Sequence, residues 1–501
     1  MLHLIDSFLN RITMYRLVLY GLLILAAYTV FMGLSGFISF TATQLLFSGT
    51  ILFITCYVTN YLLAKTVTAP TNVESSTITS LILFFILSPF SETHQIATLV
   101  LAGVIAMTSK YLLAIHKKHL FNPAAIAAVI LGIMGSPQVS WWIASSVLIP
   151  LTLIVGLLIV RKIRRFTLFF SFIITSFLVL TISGIAETRN LIDLWIETII
   201  SWPIIFLATI MLTEPATTPP TKKLQMIYGS LVGVFFNIPF HFGPIFSTPE
   251  LALALGNIFS YIVSPKQKLF LTFKEKVQLA NQTYEFVFQP NQKPTYHAGQ
   301  YLEWTLPHAH ADSRGNRRYF TVASAPTEQE IRLGVRFNTP PSSFKKDLLD
   351  LPKGKQLVAG QLGGDFTLPQ DATEKLVFIA GGIGITPFRS MTKYLLDTKE
   401  KRDIVLLYAN KTEEEIAYKE LFGEALRIGM KTVYILSDAQ ADWQGKTGHI
   451  DEKMLQEEIV DYKERTYYLS GPIAMVDAYK RLLKQIGIAT NKIVTDYFPG
   501  F

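Results

Sequence analysis

A short run of residues, Arg318–Ser324, combines side chains suited to holding a large, flat, phosphorylated ligand. An arginine can bind a diphosphate through two parallel hydrogen bonds. Side chains two residues apart on a strand point to the same face. Phe320 would therefore lie beside Arg318 and could stack on a ring system, while Thr321 offers a hydroxyl to a ring nitrogen. By itself the run is of low specificity, because strands with these residue types are common.

A second motif, residues 376–387, combines a buried strand, a glycine-rich turn and the start of a helix. Glycines allow the backbone to approach a diphosphate closely, and the N-terminus of the following helix favours negative charge. Pro387 suits the first helical turn. A third motif, Tyr467–Pro472, also ends a strand before a helix. Because ligands in parallel sheets bind beyond the carboxyl ends of the strands, we expect Gly381 and Ser470 at the same edge.

The sequence ends in an aromatic segment, Asp496–Phe501. Aromatic residues are unusual at a chain end, because such ends tend to fray unless something holds them. Two interpretations are open at this point. A ring could shield one face of a flat ligand, or the segment could be a hydrophobic tail packed against the protein.

Two kinds of secondary structure must position these motifs. From Lys268 to Leu368, short alternating runs separated by turn residues predict about six strands, as in a small antiparallel β-barrel. After Lys375, buried strands alternate with helices, which is typical of a parallel nucleotide-binding sheet. The predicted strands of the first part are 269–275, 283–288, 301–305, 318–324, 331–337 and 355–359.

Taken in this order, the motifs resemble those of the ferredoxin–NADP⁺ reductase family of flavoenzymes over residues 266–501. The resemblance implies a FAD-binding β-barrel at 266–370 and an NAD(P)-binding α/β domain at 371–501. It also implies an enzyme, an NAD(P)H-dependent FAD oxidoreductase. In such an enzyme the cofactors carry the chemistry and the protein orients them.

The resemblance also implies roles for individual residues. Those expected to bind FAD are Arg318, Tyr319, Phe320, Thr321, Ser343 and Val335 with its neighbours Gly334 and Arg336. Those expected at the dinucleotide are Gly381, Gly382, Gly384, Thr386, Pro387, Asn410, Gly471 and Pro472. Residues expected at the reacting groups are Thr321, Ser470 and Phe498, with Phe498 or Phe501 covering the flavin ring. The sequence departs from the family pattern at Phe320, where Tyr is usual, and at Ser470, which is often Cys.

The first half of the sequence has a different composition, and the change lies near Ser264 and Pro265. Of the 501 residues, 50% are hydrophobic and 16% charged, whereas soluble proteins average about 25% charged. Apolar runs separated by short charged gaps predict an all-α domain at 1–263 with about ten membrane-spanning helices. The predicted spans are 16–36, 44–64, 77–90, 95–115, 123–137, 141–160, 166–184, 194–212, 224–241 and 250–263.

The charges in the gaps predict an orientation in a lipid bilayer. With the N-terminus inside, most Lys and Arg residues fall in the inner gaps, and the outer gaps carry only Arg189 beside Glu92, Glu187 and Glu250. This distribution follows the positive-inside rule. An even number of spans then predicts a multi-pass protein of the cytoplasmic membrane with its reductase domains in the cytoplasm.

Two polar segments, His119–Ala125 and Leu212–Pro220, lie at the inner ends of predicted spans. Asn-Pro and Pro-Pro pairs punctuate helices, so turn chemistry alone could explain them. Together, and with Tyr228-Gly229 following, they resemble loops of one family of membrane proteins. This family contains the RnfD protein of the Rnf complex and the NqrB protein of the sodium-pumping NADH:quinone reductase. The resemblance covers about residues 1–263.

This second resemblance implies a flavin in the membrane half. Members of the family commonly attach FMN to the Thr of a Ser-Gly-Ala-Thr sequence, which this chain lacks, so any flavin there is expected to be non-covalent. A quinone is the other candidate. The residues expected to line such an acceptor site are Asn122, Pro123, Thr213, Glu214 and Pro215.

Several classes of cofactor and partner are not expected. The single cysteine, Cys56, excludes disulfides, Cys-ligated zinc and iron–sulfur clusters, which need several thiolates. The histidines of the apolar half fall at span ends and form no facing pairs, so neither haem nor another metal is expected. Despite a net charge of +8, no basic stripe with interleaved aromatics predicts nucleic-acid binding.

The sequence therefore predicts a membrane-bound flavoprotein that passes electrons from NAD(P)H through FAD to a flavin or quinone acceptor. Alternatives are helices that only anchor the reductase or dock a partner, a transporter with a fused reductase, and a haem-containing reductase. Lys411 could meet the 2′-phosphate of NADPH, but the three glutamates at 413–415 would repel it, which favours NADH.

Overall fold

The computed structural model divides into two compact units, Met1–Lys266 and Gln267–Phe501. It describes residues 5–6, 8–9, 12–66, 73–115, 118–265, 268–308, 312, 315–338 and 340–498. The first unit is helical, and the second contains two six-stranded sheets. Each unit has its own buried hydrophobic core.

Apolar helices build the N-terminal unit, and they follow the predicted spans closely in position. Their bounds in the described residues are Met14–Leu34, Ala42–Thr66, Val73–Ile86, His94–Leu112, Pro123–Ile133, Ile149–Ile163, Phe166–Ala186, Leu191–Ser201, Ile204–Phe206 continuing as a π-helix over Leu207–Met211, Lys222–Asn237 and Pro249–Val263. Four are long and apolar enough to cross a membrane, namely Met14–Leu34, Ala42–Thr66, His94–Leu112 and Phe166–Ala186. The pair Leu191–Ser201 and Ile204–Met211, bent by 66°, would make a fifth.

The remaining helices are shorter than the prediction of about ten full spans requires. The helix predicted at 123–137 ends at Ile133, and the helix predicted at 141–160 begins only at Ile149, with Pro150 in its first turn. The helix Val73–Ile86 stops where Leu87 forms a bridge with Val139. Extended and turn backbone therefore replaces part of the predicted helix.

An antiparallel sheet follows, with strands Leu269–Ala280, Thr283–Pro290, Tyr301–Thr305, Arg317–Thr321, Ile331–Arg336 and Gln356–Gly363. The six predicted strands are thus confirmed within a few residues. Alternating buried residues build its core, which includes Trp304 and Phe344 of the helix Ser343–Leu349. Closure into a barrel is not established, because no ladder joins the two outer strands in the described residues. A backbone hydrogen bond of 2.9 Å from Ala323 N to Arg332 O lies between them.

The last part of the chain forms a parallel sheet, as the alternation of buried strands and helices predicted. Its strands, in spatial order, are Lys446–Thr447, Met430–Leu436, Ile404–Asn410, Leu376–Gly381, Thr466–Pro472 and Ile493–Phe498. The helices between them include Thr386–Thr398, Lys419–Glu424, Glu452–Glu458 and Ile473–Gln485. The order reverses between Leu376–Gly381 and Thr466–Pro472, where the chain crosses to the other side of the first strand. In open α/β sheets the crevice at such a switch point is the usual ligand site.

Candidate functional site

The glycine turn, residues 381–384, lies at this switch point. Gly381 ends the strand Leu376–Gly381, and Ser470 pairs with Ala380 on the neighbouring strand. A 3₁₀ turn leads from Gly382 into the helix Thr386–Thr398, with Pro387 in its first turn. The predicted meeting of the two motifs at one sheet edge is confirmed.

Glycine is required in this turn for two separate reasons. Gly382 has a φ of +51°, which lies in the left-handed region that other residues rarely adopt. A Cβ added to Gly384 would lie 2.6 Å from the Cα of Gly471, closer than non-bonded carbons approach. The turn and the Ser470–Pro472 segment therefore pack backbone against backbone.

Two polar side chains at this edge are buried with unsatisfied atoms. Ser470 is fully buried and its Oγ has no hydrogen-bond partner in the described part of the chain. Asn410, at the end of the next strand, is 7% exposed, and neither atom of its side-chain amide meets the geometry of a hydrogen bond. Buried polar atoms without partners are uncommon in native proteins, and a water, an ion or a catalytic role commonly explains them. Thr386 differs, since its hydroxyl donates to Ile383 O at 3.2 Å.

On the antiparallel sheet, Arg318 and Phe320 share a face, as the strand period predicts. The guanidinium of Arg318 lies 5.2 Å from the ring centre of Phe344, and the rings of Phe320 and Phe344 are 5.8 Å apart. Arg318 also donates to Asp312 Oδ1 at 3.1 Å. Thr321 is buried at the end of this strand.

The predicted FAD residues Ser343 and Arg318 meet around Asp312. The hydroxyl of Ser343 accepts a hydrogen bond of 3.0 Å from Asp312 N and lies 3.0 Å from His308 Nε2. Tyr319 points to the other face, where its hydroxyl donates to Glu303 at 2.9 Å. A guanidinium and the start of a helix, both of which can bind phosphate, thus lie together beside Asp312.

For three predicted residues, the described atoms show no side chain at the expected site. The side chain of Val335 packs in the core of the antiparallel sheet, so its backbone alone remains available to a ligand. Phe498 ends the last strand, whose backbone pairs it with Pro472, and its ring is outside the described atoms. Phe501 lies outside the described residues.

Hydrogen bonds join the two sheets of this unit beside both motifs. Arg389, on the helix after the glycine turn, donates to Ala323 O at 3.2 Å and forms a buried ion pair with Glu328. Tyr418 donates to Glu285 Oε1 at 2.9 Å. Burial raises the pKa of Tyr418 well above its usual value, with a further contribution from the charge of Glu285, so this phenol stays a donor. Sequence patterns could not have shown these pairs, whose members are far apart in the chain.

An ion pair that the sequence analysis missed lies at the glycine turn. Arg336 ends the strand Ile331–Arg336, and its two terminal nitrogens donate to both carboxylate oxygens of Glu415 at 3.0 and 2.6 Å. A Cβ placed on Gly382 would lie 3.4 Å from Nη1 of Arg336. Arg336, expected near FAD, thus also borders the turn assigned to the dinucleotide.

In the helical unit, the structure brings Asn122 and Glu214 together. The Asn122 amide donates to Glu214 Oε2 at 2.8 Å, and its backbone N donates to Asn257 Oδ1 at 2.9 Å. Asn257 in turn donates to the hydroxyl of Tyr228 at 2.9 Å. Lys110 interacts electrostatically with Glu214. We call these five residues the polar cluster.

The other predicted acceptor residues are chain neighbours of Asn122 and Glu214. Pro123 is buried in the first turn of its helix, Thr213 is buried with its hydroxyl donating to Thr209 O at 2.7 Å, and Pro215 is partly exposed. Glu250, assigned by sequence to an outer gap, is instead buried and accepts a hydrogen bond of 2.7 Å from the indole of Trp141. Glu250 lies in the first turn of the helix Pro249–Val263, and this turn is packed against other parts of the helical unit.

Comparison with known proteins gives an independent result for the second unit. Residues 378–481 match the family of oxidoreductase NAD-binding domains. The chain is 27% identical over 211 residues to a flavohemoprotein of Bacillus subtilis (strain 168), across 41% of this chain and 52% of that protein. It is 31% identical over 205 residues to the F subunit of a Na(+)-translocating NADH-quinone reductase of Yersinia pestis (strain Pestoides F), across 36% of this chain and 49% of that protein.

A solved structure is also similar, the flavohem-like FAD/NAD binding domain of nitric oxide dioxygenase from Vibrio cholerae O1 biovar El Tor. It is 20% identical and aligns over 46% of this chain and 98% of that chain, with a TM-score of 0.42. The chain spans about half the length of the curated relatives it matches. Its C-terminal half is similar to ferredoxin reductase-like FAD/NAD-binding modules, and the relatives that it matches are NAD(P)H-dependent FAD oxidoreductases.

Proposed function

We propose that this protein is a membrane-bound oxidoreductase that passes electrons from NAD(P)H through FAD to a flavin or quinone in its helical unit. The observation that carries the proposal is that the candidate FAD site and the candidate dinucleotide site lie in one compact unit. Arg389 joins the Arg318–Thr321 run to the glycine turn. It lies on the helix that follows the turn, and it donates a hydrogen bond to the backbone oxygen of Ala323, just beyond the run. Hydride transfer needs two cofactors held at one fixed distance.

The residues present fit FAD and a dinucleotide. Arg318 and the Ser343 region would hold the FAD diphosphate, Phe320 would pack on the ring system, and Thr321 would offer a hydroxyl or backbone group to it. When bound, FAD accepts a hydride from NAD(P)H and can release electrons singly. The unsatisfied Oγ of Ser470 fits a polar group of the nicotinamide.

The glycine turn would hold the dinucleotide diphosphate. Its backbone N–H groups and the N-terminus of the helix Thr386–Thr398 supply positive potential, and the close packing of Gly384 against Gly471 leaves this backbone rigid. Asn410 would reach the same ligand from the neighbouring strand. We infer NADH as donor, because Glu414 and Glu413 are exposed beside Lys411 and would repel a 2′-phosphate.

The polar cluster is the proposed acceptor site in the helical unit. Its support is the bond between Asn122 and Glu214, which come from two segments that the charge distribution assigns to the cytoplasmic side. Buried ionisable groups inside a membrane protein commonly mark functional sites. The amide and the phenol of the polar cluster could donate hydrogen bonds to the oxygens of an oxidised ring. The carboxylate could accept a hydrogen bond from a hydroxyl of the reduced ring.

The test uses the full-length protein purified in detergent. An absorption spectrum before and after denaturation and NADH addition shows whether flavin is present, non-covalent and reducible. NADH oxidation is then followed with a soluble quinone and, separately, with ferricyanide, which takes electrons directly from flavin. Glu214→Gln should lower the quinone rate at least about tenfold, a loss of about 1.4 kcal/mol, and leave the ferricyanide rate unchanged.

Glu197→Gln is the matched control in the same unit. Glu197 pairs with Arg189 at 3.0 Å, and both side chains are exposed, so both rates should equal those of the wild type. A quinone rate that survives Glu214→Gln would contradict the acceptor site and favour helices that only anchor the reductase. A protein that binds no FAD would contradict the whole proposal.

A further inference from the structure

The ion pair of Arg336 and Glu415 occupies the place where the dinucleotide would be held. Its two parallel bonds have the fork geometry with which arginine also binds phosphate. Arg336 comes from the antiparallel sheet, and Glu415 ends the short 3₁₀ turn Glu413–Glu415 after the strand Ile404–Asn410. The pair therefore links the antiparallel sheet to the parallel sheet beside the glycine turn.

Two further contacts place the pair at the ligand site. Arg336 Nη1 is 3.4 Å from the Cβ position of Gly382, so the guanidinium lies against the turn itself. Lys411 N donates weakly to Glu415 Oε2, at 3.4 Å. Lys411 follows Asn410, whose buried side-chain amide is unsatisfied. A buried amide without a well-formed hydrogen bond next to the pair leaves polar atoms that a ligand could satisfy.

We propose that Glu415 competes with the dinucleotide diphosphate for Arg336. In the free protein the carboxylate holds the guanidinium; when the dinucleotide binds, the diphosphate takes the two hydrogen bonds and Glu415 turns to solvent. This inference rests on the proposed function, because it takes the glycine turn as the diphosphate site. No covalent bond changes in the exchange.

Charge decides the direction of the exchange. A diphosphate carries more negative charge than one carboxylate, and the N-terminus of the helix Thr386–Thr398 attracts it further. The Arg336 and Glu415 side chains are 32% and 13% exposed, so the pair is partly solvated and its net strength is modest. Binding must nevertheless break it, so Glu415 weakens the observed affinity for the dinucleotide and speeds its release.

The experiment measures NAD⁺ affinity by titration calorimetry on the full-length, FAD-loaded protein. Glu415→Gln keeps the shape of the side chain and removes its charge. We expect this variant to bind NAD⁺ about tenfold more tightly, equivalent to about 1.4 kcal/mol. Glu420→Gln is the matched control, because Glu420 is exposed in the nearby helix Lys419–Glu424 and has no role in the proposed site, and its affinity should equal that of the wild type.

Two further variants test the role of Arg336. Arg336→Gln should weaken NAD⁺ binding, and Glu415→Gln should have no additional effect in that background. Adenosine, which lacks phosphate, should bind equally to wild type and Glu415→Gln. Circular dichroism and the thermal unfolding transition show that each variant is folded.

Three results would overturn the exchange. They are an unchanged or weaker affinity in Glu415→Gln, an equal gain in Glu420→Gln, and a gain that persists in the Arg336→Gln background, which would mean direct repulsion of the ligand by Glu415. If no variant, wild type included, binds NAD⁺, the proposed function fails, and that outcome is distinct from these three.

Discussion

The hydroxyl of Ser390 donates a hydrogen bond of 2.6 Å to the carbonyl oxygen of Ser324. Ser324 lies just beyond the strand that carries Arg318 and Thr321, and Ser390 lies in the helix that follows the glycine turn. Both residues are fully buried. The bond therefore helps to join the two halves of the proposed FAD and dinucleotide site.

Ser390→Ala should loosen this junction. The Ser324 carbonyl keeps a second donor, the hydroxyl of Tyr296 at 3.0 Å, so the expected loss of stability is only about 1 kcal/mol. Flavin reduction by NADH in stopped-flow measurements should slow, because the distance between the cofactors is less well held. Thr490→Ala removes an exposed hydroxyl from the same unit and should change neither quantity. A normal reduction rate in Ser390→Ala would argue that the junction does not set this distance.

Arg318→Ala should weaken FAD binding. Hydrogen bonds to a charged group contribute about 1.5–3 kcal/mol, so the dissociation constant of FAD should rise about 10- to 100-fold. The measurement is the FAD retained after extensive dialysis, followed by titration of the apoprotein. Arg317→Ala is the control, since the neighbouring Arg317 pairs with Glu303 at 3.5 Å, on the other face of the strand. Equal FAD loss in both variants would contradict a specific clamp by Arg318.

Gly384→Ala should impair reduction by NADH while FAD remains bound. The added Cβ would lie 2.6 Å from the Cα of Gly471, and the backbone must move to relieve the overlap, at a cost of about 1–3 kcal/mol. We expect the rate of flavin reduction at low NADH concentration to fall at least about tenfold, with reduction by dithionite unchanged. Gly423→Ala, where a Cβ would meet no atom within 4 Å, should behave like the wild type. Normal kinetics in Gly384→Ala would exclude the glycine turn as the dinucleotide site.

Acid should remove one stabilising ion pair of the reductase unit. Arg465 donates to Asp461 Oδ1 at 2.6 Å and Lys375 donates to Oδ2 at 2.7 Å. The hydrogen bond from Arg465 lowers the pKa of Asp461 from 3.8 to about 2. Because the folded-state pKa is below the unfolded one, the stabilisation is complete above about pH 4 and is lost as the pH falls toward 2.

The difference in Tm between wild type and Asp461→Asn should therefore be constant from pH 7 to about pH 5 and should shrink below about pH 4. Differential scanning calorimetry in detergent measures it. Asp442→Asn, at an exposed position, should show no such trend. A difference that stays constant down to pH 3 would show that the pair does not contribute through the charge of Asp461.

Much of the second unit could be predicted because its signals are local. Strand alternation placed the six antiparallel strands within a few residues, and the glycine-rich sequence after a buried strand identified the turn at the switch point. Short polar segments also placed Asn122 and Glu214 at the same level of the helical unit. Predicted span lengths were less accurate, because extended and turn backbone, as at the Leu87–Val139 bridge and before Ile149, replaces part of the predicted helix, which hydropathy does not register.

By itself, the sequence determined the order of the domains, the residue types at each motif and the sheet edge at which the two reductase motifs meet. These follow from hydrophobic periodicity and from the backbone freedom of glycine, which act over a few residues. Only the tertiary structure decided that Arg336 pairs with Glu415, that Arg389 reaches Ala323 and that Lys110 lies near Glu214. Such partners come from distant segments, and chain packing alone selects which charges meet.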